Sequence, residues 1–262
     1  MSTAGGGSSA HPWRLADAHW PTVRSAGYTI AVLPWGATEA HNTHLPYGTD
    51  TYQASWLADR AAATAWAAGA RVLVLPAIPF GVQTTQRDIA HCINMMPSTQ
   101  RAVLHDIATS VAPHGIASLV ILNSHGGNEF KAIIRELQPV HDPLTFYALD
   151  WWKAGTPRAH FAEPGDHAGA LETGAMLHIA PALVRPLEEA GDGTERRSVF
   201  DAMREGWAWT PRPWSTISAD TGVGDPRGAT AAAGAAHLED VAARIARFLV
   251  QVATTPVDTR YR

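Results

Sequence analysis

Short apolar runs alternate along the chain with longer stretches in which apolar residues return at helical spacing. Residues 30–33, 71–76 (RVLVLP), 118–123 (SLVILN) and 145–152 (TFYALDWW) read as strands, the first of them buried on both faces. After Asp50 an alanine-rich run carries Trp56, Leu57 and Trp66 at helical spacing and stops at Gly69. A second helix, capped at Ser98, follows with Val103, Leu104, Ile107 and Val111, and ends at Gly115. EFKAIIRELQ makes a third. Leu171, Ala175, Met176 and Ile179 line a fourth that ends at Pro181. The closing helix, residues 229–252, puts Leu238, Val241, Ile245, Phe248 and Leu249 on one face. This order predicts an α/β fold whose mostly parallel sheet is covered by helices on both faces.

Breaks in the pattern set the domain plan. Residues 1–10 (MSTAGGGSSA) read as disordered, residues 11–253 as a single domain and residues 254–262 as a tail. The connection after the second strand is long enough to suggest a functional loop. His91 lies within it, and its simplest reading is a solvated side chain. Residues 191–228 form no regular pattern and set Trp207, Trp209 and Trp214 among prolines, which suggests an aromatic flap or an arm against a neighbouring subunit.

Composition narrows the function. A length of 262 residues accommodates one large domain, and a net charge of -4 offers no basic field for nucleic acid. The chain has no apolar stretch long enough to span a bilayer and no basic-then-apolar leader. The single cysteine, Cys92, cannot form an internal disulfide, which points to a reducing, cytoplasmic setting.

The densest chemistry lies in PWGATEAHNTHLPYGTD, residues 34–50, directly after the first strand. Pro34, Gly36, Pro46 and Gly48 keep it from being helical, and alternate extended residues let Glu39 and His41 face one point. Glu39, His41, His44 and Asp50 together form a donor set for a divalent ion such as zinc or manganese, at the strand end where open α/β sheets place their ligands. The plainer alternatives are a solvated polar loop and, for Asp50, a helix cap. His125 projects from the end of the third strand, and Gly126 and Gly127 allow a tight turn close to a ligand. A phosphate cradle there would lack the lysine of a P-loop. Trp151 and Trp152 would share a rim, as substrate contacts or as core. His167 and Glu172 converge only if His167 precedes its helix.

PWGATEAHNTHLPYGTD, NSHGGNE and GDHAGALETG, in that order on successive loops, resemble the creatininase (creatinine amidohydrolase) family. The resemblance implies a three-layer α/β/α fold, two divalent metal ions and hydrolysis of a C–N amide bond by metal-bound hydroxide. The ions would be zinc first, with manganese or iron as alternatives. It makes Glu39, Asp50 and His125 ligands of one ion and His41 and Asp50 ligands of the other. His167 becomes the proton-transfer residue. Family creatininases carry a metal-binding glutamate where this chain has Gly127, and Glu172 is the residue that can fill that place or join the catalysis. The expected substrate is a small cyclic amide, lactam or formamide. Alternatives are a cyclic ketone or lactone of a sugar or cyclitol, or a peptide of the mycofactocin-precursor type. The family also implies a homo-oligomer, with a hexamer as one form.

Overall fold

A computed structural model describes residues 11–261. The expected disorder of residues 1–10 lies outside that range. The strands are β1 (Ile30–Trp35), β2 (Val72–Val74), β3 (Ser118–Asn123) and β4 (Thr145–Asp150). They form one sheet in the order β2-β1-β3-β4, every pair parallel. The helices are α1 (Trp20–Ser25), α2 (Thr49–Ala67), α3 (Pro97–Val111), α4 (Phe130–Leu137), α5 (Ala170–Ile179), α6 (Asp201–Arg204), α7 (Trp214–Ile217) and α8 (Ala231–Thr254).

The two-residue period of the strands divides the core. Ile30, Val32, Val72, Val74, Val120 and Leu122 point to one face, where they meet the alanine face of α2 together with α5 and α8. Ala31, Leu33, Leu73, Leu119 and Ile121 point to the other, against Leu104 of α3 and Phe130, Ile133 and Leu137 of α4. The chain is therefore a three-layer α/β/α protein. Among the described residues no helix is long and apolar enough to cross a membrane.

Several local expectations shift. The helix expected to be capped by Ser98 begins at Pro97, whose fixed φ suits a first turn; Met96 takes the cap position without a side-chain bond. Asp50 is not a cap either: Gly48 precedes α2, and Asp50 lies in its first turn with its carboxylate turned toward histidines. β4 stops at Asp150 because its register partner Asn123 is the last residue of β3, and Trp151 then enters a short 3-10 turn. At the far end, Arg260 folds back to donate to the Tyr147 hydroxyl at 2.6 Å.

Helices α5 and α8 touch through glycines. A Cβ on Gly234 would stand 1.9 Å from the Gly174 carbonyl oxygen, so this crossing admits no side chain. Gly234→Ala is expected to force the helices apart and cost about 1–3 kcal/mol, read as a lowered midpoint in urea or thermal unfolding. An unchanged midpoint would mean that the two helices do not pack this closely.

Candidate metal centre

All the residues of the centre come from the carboxyl-end side of the sheet. The loop after β1 supplies Glu39 and His41, the first turn of α2 supplies Asp50, and the turn after β3 supplies His125. His167 lies before α5, tied to Val223 by backbone bonds, with Ala168 at φ +51. That left-handed turn lets Glu172, in the first turn of α5, come back beside it; its Oε2 accepts from the Ala168 amide at 2.6 Å.

The three imidazoles are oriented in the same manner. His41 Nδ1 lies 3.1 Å from the Glu39 carbonyl, His125 Nε2 2.9 Å from the Val82 carbonyl, and His167 Nε2 2.9 Å from the Ala40 carbonyl. A carbonyl only accepts, so each of these nitrogens donates its proton outward and each ring's other nitrogen faces the carboxylates. His41 Nε2 is 3.1 Å from Asp50 Oδ1; His125 Nδ1 is 2.8 Å from Glu39 Oε1 and 3.3 Å from Asp50 Oδ2; His167 Nδ1 is 3.9 Å from Glu39 Oε1. Backbone anchoring of the outer nitrogen is the usual support of metal-ligating histidine.

Among the described residues, donor atoms within 4.8 Å of one another fall into three groups: Glu39, Asp50 and His125; His41, Asp50 and Glu172; and Glu39, His41 and His167. Asp50 belongs to the first two. Its Oδ2 is buried and, among the described residues, has no hydrogen bond, its polar neighbour being His125 Nδ1 at 3.3 Å, an arrangement that suits a cation between the two.

Burial and charge oppose each other here. For Glu39, burial would raise the carboxyl pKa, but the charge and hydrogen bond of His125 hold it well below the usual carboxylate range. Burial works against a charged His41, yet Asp50, Glu172 and Glu39 push it up to about 10. His125 rises in the same way, beside Glu39 and Asp50. Burial raises Glu172 to about 7 despite His41. His167 is lowered, by burial and by the neighbouring His41. Without a cation, these carboxylates are neutralised by protons on the rings.

The centre opens into a cavity of roughly 370 Å³. Gly126, Gly127, Trp151 and Trp152 line it, as do Gln86, Trp209, Arg212 and Trp214. Trp151 combines both roles considered for it: the ring is buried in the core, its Nε1 donates to Ser124 Oγ at 2.8 Å, and one edge bounds the cavity. Gly127 is small because of its protein surroundings. A Cβ there would lie 2.2 Å from the Val82 carbonyl oxygen and 2.4 Å from His125 Nε2, so no acid can reach the centre from this position without rebuilding the turn.

Two further histidines lie outside the centre: His44, expected among the donors, and His91, read as solvated. His44 turns away and meets Thr173 Oγ1 at 2.8 Å; burial lowers its pKa to about 4, so it is a neutral structural ring. His91 is exposed and outside the cavity. In the other direction, Gln86 and Arg212 have no signal in the sequence beyond lying in irregular segments, and Trp214, expected in an aromatic flap, lines the cavity. Trp214 packs against His167 with ring centroids 4.8 Å apart and planes tilted by 57°, and Arg212 covers Trp214 while pairing with Asp166. Of the aromatic flap, Trp209 borders the cavity yet is 82% exposed, whereas Trp207 projects into solvent away from it.

A parallel α/β sheet carrying buried carboxylates and inward-facing imidazoles at its loop end defines a protein with the makings of a divalent-metal centre. The chain belongs to the creatininase family of metal-dependent amidohydrolases: the family model, described as creatinine amidohydrolase, matches residues 16–249. A mycofactocin precursor peptide peptidase of Mycobacterium tuberculosis is 32% identical over 234 residues, covering 84% of this chain and 86% of that protein. The crystal structure of a Bacteroides fragilis protein, provisionally described as a creatinine amidohydrolase, superposes with a TM-score of 0.90 at 36% identity, over 96% of this chain and 99% of the other. Creatininase in a manganese form shares the fold at 20% identity, with a TM-score of 0.76 over 93% of this chain and 99% of that one. A Zn–Zn form of a mutant creatininase does so at 22% identity, with a TM-score of 0.76 over 92% of this chain and 98% of that one.

Proposed function

We propose that the chain hydrolyses a C–N amide bond of a small molecule, a cyclic amide, lactam or formamide, at a pair of divalent ions. Glu39, Asp50 and His125 would hold one ion; His41, Asp50 and Glu172 would hold the other, with Asp50 shared. The observation that carries this reading is the common orientation of the imidazoles, one ring nitrogen turned out to a backbone carbonyl and the other turned in toward the carboxylates. The donors are nitrogen and oxygen without thiolate, which suits zinc or manganese, with iron as a third choice. Ions of this kind supply Lewis acidity, easing the ionisation of water and polarising a carbonyl.

The protein's own groups supply the rest. His167 Nδ1 borders the cavity with its partner nitrogen fixed on Ala40, so it can take a proton from the attacking water and return it to the departing nitrogen. Its lowered pKa keeps the ring neutral and able to accept. Trp214 and Trp151 wall the cavity and limit water. The test is a panel of lactams, formamides and lactones assayed with and without chelator. Turnover of amides that chelation abolishes supports the reading, and lactone turnover alone would move it to C–O bonds.

One observation favours a second reading. Trp209 carries the cavity wall out into solvent, which would suit a substrate longer than a single ring, such as the end of a peptide. Short peptides therefore belong in the same panel. A homo-oligomer and a cytoplasmic setting complete the proposal.

Ion uptake should also depend on pH. His41 and His125 hold protons at neutral pH when no metal is bound, and a ligating imidazole must lose its inward proton. Metal binding is therefore expected to release protons and to tighten as pH rises from neutrality toward 10. The metal-free protein should behave oppositely. His41 is raised from 6.5 to about 10, so its contribution to stability is complete below 6.5 and is lost as pH rises through 10. Calorimetric titration in buffers of different ionisation enthalpy checks the first effect. Binding without proton release would remove the imidazoles from the ligand set.

A further inference from the structure

The loop between β2 and α3 holds a buried glutamine that touches the candidate centre. Gln86 is 2% exposed, and its Nε2 donates to Glu39 Oε2, the oxygen turned away from His125. Its Oε1 accepts from Cys92 Sγ at 3.4 Å, and Cys92 Sγ in turn accepts from the Ala40 amide at 3.3 Å. The carboxylate can only accept and the thiol can donate, so the two neighbours fix which end of the amide faces which. A run of tight turns supports this arrangement: Gln86 N donates to Gln83 O, Ile89 N to Gln86 O and Cys92 N to Ile89 O. The loop is also fastened to the loop after β1, by Ile93 N donating to Thr38 O at 3.0 Å and Tyr47 Oη to Ala90 O at 2.8 Å.

We propose that Gln86 is a positioning residue for Glu39, holding one carboxylate oxygen so that only the other is offered to the ion it shares with Asp50 and His125, with Cys92 fixing the sense of the amide. The proposal rests on the metal-centre reading above and adds an outer partner to it. A buried carboxylate without such a donor can rotate and present either oxygen. Donors of this kind change metal affinity by about 10–100-fold when removed.

The test compares Zn²⁺ affinity, by competition with a chromogenic chelator, across the wild type, Gln86→Met, Gln86→Glu, Cys92→Ser and Cys92→Ala. Thermal midpoints of the metal-free proteins are measured alongside. Gln86→Met keeps length and removes the donor; it should weaken zinc binding about 10–100-fold with the metal-free midpoint little changed. Gln86→Glu places a second carboxylate against Glu39 and should disturb affinity again, through added charge rather than through loss of the donor alone. Cys92→Ser retains a donor to the amide and should stay near the wild type, whereas Cys92→Ala should weaken binding by less than the Gln86 variants. Wild-type affinity in Gln86→Met, or in Gln86→Glu should the methionine variant not fold, would overturn the role given to Gln86. A wild type that binds no zinc or other divalent ion would overturn the metal reading itself, and the two failures are distinct.

Discussion

Asp50→Asn is expected to leave a folded protein that retains neither ion and hydrolyses no amide. Asp50 is the residue common to the Glu39–His125 group and the His41–Glu172 group, with one oxygen 3.1 Å from His41 Nε2 and the other 3.3 Å from His125 Nδ1. Asparagine keeps the shape but offers a single neutral oxygen, so it cannot serve both groups at once. Loss of Glu172 would remove a donor from one group only, and a partly loaded protein should result. Elemental analysis after gel filtration separates these outcomes. An Asp50→Asn protein that keeps its full metal complement would show that the carboxylate bridges nothing.

His167→Ala is expected to do the converse, keeping the metal and losing about 100- to 10,000-fold in turnover. The reasoning is geometric. His167 also shares a possible ligand group with Glu39 and His41, but its inward nitrogen is 3.9 Å from the nearest Glu39 oxygen, farther than the corresponding approach of His125 at 2.8 Å. It also borders the cavity, where a substrate nitrogen would lie. A pH–rate profile sharpens the test. The acidic limb belonging to neutral His167 should fall below the ordinary imidazole range, because burial and His41 lower its pKa, and the limb should vanish in the alanine variant. Loss of metal from His167→Ala would make the ring a ligand and leave proton transfer to another group.

Much of this centre was legible in the chain because strand and site are adjacent in sequence. The apolar residues of β1 run straight into Glu39 and His41, and those of β3 run into His125. The sequence could not distinguish His41 from His44. Asn42 adopts φ +54, a left-handed conformation that asparagine tolerates, and its side chain accepts from the Gly191 amide 149 positions away. That single reversal breaks the alternation of the extended chain and sends His44 to Thr173. His167 and Glu172 depended on a similar turn at Ala168, and here the condition set by their spacing is met. Gln86, Arg212 and Trp214 arrive from long irregular segments, where no periodicity reports direction; only the packed fold brings them to the cavity. Gly127 was legible as a tight turn, but its cause, the carbonyl of Val82, lies in a distant loop.

The proposal stands on a pair of ions held by these buried side chains, and the most direct measurement is the divalent-metal content of the purified protein before and after chelation, with amide hydrolysis followed in parallel. About two ions per chain are expected, removed together with activity and restored together with it on adding zinc or manganese. A chain that binds no divalent ion, or one that hydrolyses amides at an undiminished rate once stripped, would contradict it.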